Sequence, residues 1–159
     1  REGEFGRRLL DIDYDTYADG EAELGWLNSS LQVTSKIEFN LDTMLLKIVE
    51  RLKQEFEAAS VETAHLKAIG LWEGFFGVAN LVSRDSPAEL SLPSNCKAAC
   101  ANVIINARVA CPPKQLKSIV LAAVPDVLES LNATADFHST QSFRPGRPEP
   151  THRITELAD

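Results

Sequence analysis

Two segments of the chain carry apolar residues at helical spacing. The first covers residues 41–57 and follows Asn40, a suitable N-cap residue. Its apolar positions recur every three or four residues, which predicts an amphipathic helix with one buried stripe. That stripe consists of Leu41, Leu45, Ile48, Val49, Leu52 and Phe56. The second segment, residues 114–131, shows the same spacing, and Pro125 is expected to kink or split it.

Five other segments alternate between apolar and polar residues, which indicates half-buried strands. They cover residues 24–35, 64–72, 75–83, 101–111 and 133–143. Glu73-Gly74 is expected to turn the chain between the second and third of them. Residues 83–99 are rich in Ser, Pro and Asn and predict a loop, in which the PAELSL segment is able to add a short edge strand. Trp26 is predicted to be a core residue.

The order of these elements is strand, helix, two strands, strand, helix, strand. A helix with a single apolar stripe covers one face of a sheet, and alternating strands are typical of antiparallel pairing. The pattern therefore predicts an α+β fold. We expect a mostly antiparallel sheet of four to five strands with two main helices on one face, in a ferredoxin-like (split βαβ) variant.

The same pattern divides the chain into three parts. Residues 24–143 are predicted to form a single α+β domain. Residues 1–23 are expected to be a linker with a short acidic helix that follows a missing N-terminal domain, because the chain starts at Arg1 rather than at Met. Residues 144–159, with their prolines and arginines, predict an extended tail.

Composition narrows the possible partners. The 159 residues carry a net charge of −7, which argues against nucleic acid and anionic membranes as partners. No apolar run approaches the about 20 residues that span a bilayer, and no secretory signal is visible. The three cysteines, an odd number, fit a reducing compartment. These features predict a cytoplasmic protein.

The usual signatures of catalysis and metal binding are missing. The sequence has neither a Gly-rich phosphate loop nor a nucleophile elbow nor a Cys-x-x-Cys pair, so no catalytic residue is predicted. Cys96 and Cys100 are spaced like a metal pair, but Pro93, Ser94 and Asn95 place them in a loop with few histidines available. We expect no metal site.

Two groups of residues are candidates for binding. His65 and Lys67 share one face of their predicted strand, and Asn106 and Arg108 share the polar face of another. If these faces coincide, they form either a docking or anion-binding surface opposite the helices or an ordinary solvated sheet face. The second group lies in the tail and would contact a phosphate or an acidic partner, or merely keep the tail soluble. It consists of Arg144, Arg147, His152 and Arg153.

Several segments resemble one known family. The opening GRRLLDIDYDTYADGEAELGWLN is similar to the junction that follows the nucleotide domain in CobW-like P-loop GTPases, relatives of cobalamin-synthesis proteins regarded as metal or cofactor chaperones. AHLKAIGLW, GVANLVSRDSPAELS, VIINARVACPP and FRPGRPEPTHR point the same way. The resemblance covers only the C-terminal domain of that family, because its Walker A loop, Cys-x-Cys-Cys motif and guanine-specificity motif are absent from these residues.

The resemblance implies a non-catalytic accessory domain. Its partners would be the N-terminal GTPase domain of the parent chain and a metal- or cobalamin-dependent client protein. GTP and a divalent metal are implied for the parent protein only, and no cofactor is implied for this chain. The alternative is a free-standing ferredoxin-like ligand-binding domain or enzyme, in which His65, Asn106 and Arg108 act on an anionic substrate. An exposed apolar patch would favour the first hypothesis, and a closed polar pocket the second.

Overall fold

The computed structural model describes residues 24–81 and 85–145, which contain six strands and two helices. The strands are β1 (Gly25–Asn40), β2 (Thr63–Trp72), β3 (Phe75–Asn80), β4 (Glu89–Leu92), β5 (Lys97–Val109) and β6 (Ala133–Phe143). The helices are α1 (Leu41–Ala58), between β1 and β2, and α2 (Pro113–Glu129), between β5 and β6. The short acidic helix predicted within residues 1–23 lies outside the described residues.

All six strands belong to one sheet with the order β4-β3-β2-β5-β1-β6, and every neighbouring pair is antiparallel. Since β1 and β2 are both antiparallel to β5, they run parallel to each other with β5 between them, and α1 connects them. In the same way, α2 connects β5 to the parallel strand β6, with β1 between the two. The predicted α+β class with an antiparallel sheet is confirmed.

The predicted number of four to five strands is wrong, because the structure has six. The PAELSL segment forms β4, which pairs with the edge of β3 and places Leu92 opposite Val78. Only four residues long, β4 is too short to show a distinct alternation in the sequence. Its addition extends the sheet on the side of the β2–β3 hairpin and satisfies backbone groups that β3 would otherwise leave open.

Both helices pack on the same face of the sheet. The predicted stripe of α1 is fully buried, and Leu116, Val120 and Leu128 of α2 are buried against the same core. Arg51 forms ion pairs with Glu55 of the same helix at 2.8 Å and with Asp126 of α2 at 2.6 Å, and the second pair joins the two helices. Helix α2 continues through Pro125. Of these two helices in the described ranges, neither combines the length and apolarity needed to cross a bilayer.

The start of α1 is tied to the chain segment between β4 and β5. Asn40 caps the helix as predicted, since its Oδ1 accepts a hydrogen bond of 2.9 Å from the Thr43 backbone N–H. Asp42, only 8% exposed, accepts four further hydrogen bonds. They come from the backbone N–H and hydroxyl of Ser94 and from the backbone N–H of Asn95, at 2.8–3.0 Å. The helix therefore holds this loop in place.

Two glycines let the start of α1 approach the sheet. Gly70 of β2 and Gly77 of β3 lie directly opposite each other on the face that the helix covers. A Cβ at Gly70 would lie 2.8 Å from Leu41 Cδ1, and a Cβ at Gly77 would lie 2.8 Å from Asp42 Oδ1. The absence of a side chain at both positions therefore sets the distance between helix and hairpin.

The substitution Gly77→Ala is expected to lower the free energy of unfolding by about 1–3 kcal/mol, the usual cost of overpacking. The new methyl group displaces the Asp42 carboxylate, which its four hydrogen bonds hold in place. Urea unfolding followed by circular dichroism measures the change. In an Asp42→Ala background the same substitution should cost clearly less, because the clashing oxygen is gone. Equal costs in both backgrounds would contradict this reading of the glycine pair.

Candidate functional site

The sheet has a second face, which points away from the helices and is called here the open face. Because side chains alternate along a strand, the residues of β2 divide between the two faces. Leu66 and Ala68 are buried under the helices, whereas His65, Lys67 and Ile69 lie on the open face and are partly exposed. The open face therefore carries the candidate binding residues that were predicted on the two strands.

The predicted binding residues of the two strands are direct neighbours. His65 lies opposite Arg108, and Lys67 lies opposite Asn106, in the antiparallel pairing of β2 with β5. The condition stated from the sequence, that the two polar faces coincide, is therefore met. The four side chains form two adjacent cross-strand pairs on a rigid sheet.

These four residues line a depression of about 350 Å³ on the open face. The other described residues that line it are Trp26, Asn28, Ala107 and Phe143. It is an open concavity rather than a closed pocket, because Asn28 and Phe143 on its wall are exposed. Its chemistry is that of hydrogen-bond donors and cations beside two aromatic rings.

Trp26 forms the aromatic wall of the depression and not part of the core, so the prediction for this residue is wrong. The side chain is half-buried on the open face, where the Arg108 guanidinium lies 4.1 Å above its ring. Phe143 packs beside it, with ring centroids 6.0 Å apart. The Trp26 Nε1 atom is buried and has no hydrogen-bond partner within the described part of the chain. This cation–π contact orients Arg108 across the depression.

Burial and two neighbouring positive charges act on His65 in the depression. Partial burial lowers the pKa of His65 below its ordinary value, and the charges of Arg108 and Lys67 lower it further. Each of these influences disfavours the imidazolium form. His65 is therefore mainly neutral at pH 7, and the cationic side chains beside it are Arg108 and Lys67.

Stability should fall as the pH drops below the ordinary histidine pKa of about 6.5. The lowered pKa means that the unfolded chain takes up a proton at His65 before the folded chain does. The associated stability is fully present above the unfolded pKa and is lost as the pH falls through the folded one. Urea unfolding at pH 7.5 and 5.5 should show a larger loss for the wild type than for His65→Gln. Equal losses of unfolding free energy in the two proteins would contradict a lowered pKa of His65.

Of the second predicted group, the structure describes one residue, which is not among the described residues that line the depression. Arg144, directly after β6, is exposed, and its charge counteracts the effect of burial, which raises the pKa of the Cys111 thiol. Arg147, His152 and Arg153 lie outside the described residues. Of the tail group, only Arg144 therefore has a described position.

An apolar patch occupies the other half of the open face. One row of directly paired side chains crosses four strands, from Leu92 through Val78 and Ile69 to Ile104. Leu71 and Phe76 form a shorter row beside it. Phe76 is 42% exposed, Leu92 44% and Ile104 37%. The apolar patch, as defined by these six residues, therefore presents large side chains to solvent.

Sequence reasoning missed this patch although β2 carries a signal for it. His65, Lys67, Ile69 and Leu71 follow one another at a spacing of two and so lie on the same face. The face therefore changes from polar to apolar halfway along the strand. Asn106 and Ile104 repeat the change on β5. The alternation along β2 and β5 therefore predicts an apolar patch beside the depression.

None of the three cysteines belongs to the apolar patch or to the described residues that line the depression. Cys96 is buried before β5, and burial raises the pKa of its thiol, with the nearby Asp42, Glu73 and Glu38 carboxylates adding to the rise. Cys100 accepts a hydrogen bond of 3.2 Å from Gln32 Nε2. In residues 24–81 and 85–145, no three His, Cys, Asp or Glu side chains are grouped in a way that would hold a metal ion.

Comparison with protein-family models, with curated proteins and with solved structures found no match for this chain.

Proposed function

We propose that this chain is a non-catalytic accessory domain whose open face docks a partner protein domain. The observation that carries the proposal is the apolar patch. On the strength of the sequence resemblance, we further propose that the docked partner is the P-loop GTPase domain of a CobW-like protein. The complex would then recognise a client protein in metal or cobalamin handling.

The apolar patch has the character of a docking surface. Six large apolar side chains lie next to one another on four adjacent strands, and three of them are more than a third exposed. Burying apolar surface in an interface contributes about 25 cal/mol per Å² to the free energy of association. Contiguous exposed patches of this kind mark interaction sites on soluble proteins, whereas scattered exposed residues do not. Because its residues are held on paired strands, the sheet presents the patch without rearrangement.

The polar half of the open face indicates which groups a partner surface would carry. On the open face, Lys67 is the neighbour of Ile69 along β2 and Asn106 is the neighbour of Ile104 along β5, so cationic and amide groups border the apolar patch. Protein interfaces commonly combine an apolar centre with a polar rim. A partner surface with apolar residues beside carboxylates is therefore complementary to this face.

The topology supports the finer fold assignment that belongs to this proposal. Without β3 and β4, the strand order is β6-β1-β5-β2, with two βαβ units that each enclose one strand of the other. This is the interlocking expected of a ferredoxin-like, split βαβ arrangement. On that reading β3 and β4 are an addition at one edge, and they supply Phe76, Val78 and Leu92 to the apolar patch.

Isothermal titration calorimetry against the separately expressed P-loop domain tests the proposal. The chain is titrated with that domain alone, with GTP, and with GTP plus Zn²⁺ or Co²⁺. We expect saturable 1:1 association with a negative heat-capacity change, the mark of apolar burial. Association that depends on nucleotide would support a domain that responds to the state of the GTPase. No association under any condition, together with dimerisation of the chain itself, would instead assign the apolar patch to a second copy and overturn the proposal.

A further inference from the structure

We propose that the depression between β1, β2 and β5 is an oxyanion-binding site that takes a carboxylate or phosphate group between Arg108 and Lys67. The site lies in the polar half of the open face, and its binding of a small oxyanion is measurable on this chain without the proposed partner domain.

Hydrogen-bond donors converge on this depression. Arg108 and Lys67 contribute cationic donors from two neighbouring strands, and Asn106 and Asn28 contribute amides from the adjoining pair. The described residues that line the depression include no carboxylate. Oxyanions are bound most strongly by charge-assisted hydrogen bonds of this kind, with arginine supplying two parallel donors. The composition of the site therefore selects an anionic group.

The local charge is opposite to that of the whole protein. The chain carries a net charge of −7, yet among the described residues the charged groups that act on His65, Arg108 and Lys67, are positive. A positive depression on an acidic protein concentrates anions locally while the remaining surface repels them.

The site is preorganised for binding. Its polar side chains project from three adjacent strands, and the Trp26 ring lies 4.1 Å from the Arg108 guanidinium. Groups held on strands keep their geometry better than groups on loops. A volume of about 350 Å³ admits a small oxyanion or one acidic side chain of a peptide, and the Trp26 and Phe143 rings offer an apolar wall for its carbon atoms.

Titration of the isolated 159-residue chain at constant ionic strength tests the site, with ¹⁵N side-chain resonances of arginine and tryptophan as the readout. The probes are inorganic phosphate and a hexa-aspartate peptide, with chloride as the reference anion. Saturable shifts of the Arg108 Nε and Trp26 Nε1 resonances are expected. Saturation by phosphate alone would identify a free phosphate as the ligand, and saturation by the peptide alone would identify a protein carboxylate.

Two variants and one control decide whether the named residues form the site. Arg108→Gln and Lys67→Gln should each weaken binding at least about tenfold, because each removes a charge-assisted hydrogen bond. Lys47→Gln removes the same charge from the exposed face of α1 and should change the affinity less than twofold. Since Arg108 also contacts Trp26, Lys67→Gln remains decisive if Arg108→Gln fails to fold. Equal affinities for all variants, or shifts that chloride reproduces, would overturn the proposal.

Discussion

Replacement of Asp42 by alanine is expected to lower the free energy of unfolding by about 3 kcal/mol, a large share of the stability of a domain of this size. The carboxylate is only 8% exposed and accepts four hydrogen bonds from Ser94 and Asn95. Its loss leaves buried backbone donors without partners and releases the β4–β5 connection from α1. Urea unfolding followed by circular dichroism measures the effect.

Glu57→Gln provides the matched control, since it removes an exposed carboxylate from the same helix and should stay within about 0.5 kcal/mol of the wild type. Acid offers a second check. Burial alone would raise the pKa of Asp42, but the hydrogen bonds from Ser94 and Asn95 outweigh it and lower the pKa below 3.8. The wild type should therefore lose its advantage over Asp42→Ala as the pH falls through that lowered pKa. If the wild type remained more stable than Asp42→Ala in strong acid, hydrogen bonds to the ionised carboxylate would not be the cause of its stability.

Introduction of a carboxylate into the apolar patch is expected to weaken association with the proposed partner, a P-loop domain, at least about tenfold. Ile104 lies near the middle of the sheet, between Ile69 on β2 and Ser30 on β1. The substitution Ile104→Glu would bury an unpaired charge against an apolar partner surface. Phe76→Glu tests the other side of the patch, and calorimetric titration measures both variants.

A control variant separates the docking surface from a general effect of charge. Gln115→Glu adds the same charge to an exposed position of α2, in the helix layer. It should leave the affinity within about twofold of the wild type, because surface charges remote from an interface are screened. Equal weakening by Gln115→Glu and Ile104→Glu would place the interface elsewhere or show that it is purely electrostatic.

Local patterns in the sequence predicted those features of the fold that arise within one element. The apolar stripe of α1 and its Asn40 cap depend on residues three or four positions apart, and the structure confirms both. Alternation likewise placed His65 with Lys67 and Asn106 with Arg108. Each of these predictions needs only the geometry of a single helix or strand.

Features that join distant segments were not predictable in this way. The pairing of β2 with β5, which brings His65 to Arg108, depends on how the whole sheet assembles. In the sequence Asp42 is only an acid in the first turn of a helix, and nothing there indicates that it binds a loop more than 50 residues away. Trp26 was misassigned because a large aromatic residue at the start of a strand suits a core and a binding surface equally well.

The most direct test of the docking surface is a methyl NMR titration of the isoleucine-labelled chain with the P-loop domain. Ile69 and Ile104 lie in the apolar patch, Ile119 lies in the helix layer, and Ile37, 61% exposed, lies near the end of β1. We expect the δ1 methyl resonances of Ile69 and Ile104 to shift or broaden in proportion to bound partner while those of Ile37 and Ile119 stay unchanged. Shifts confined to Ile119 or Ile37, with Ile69 and Ile104 unaffected, would contradict the assignment of the open face as the docking surface.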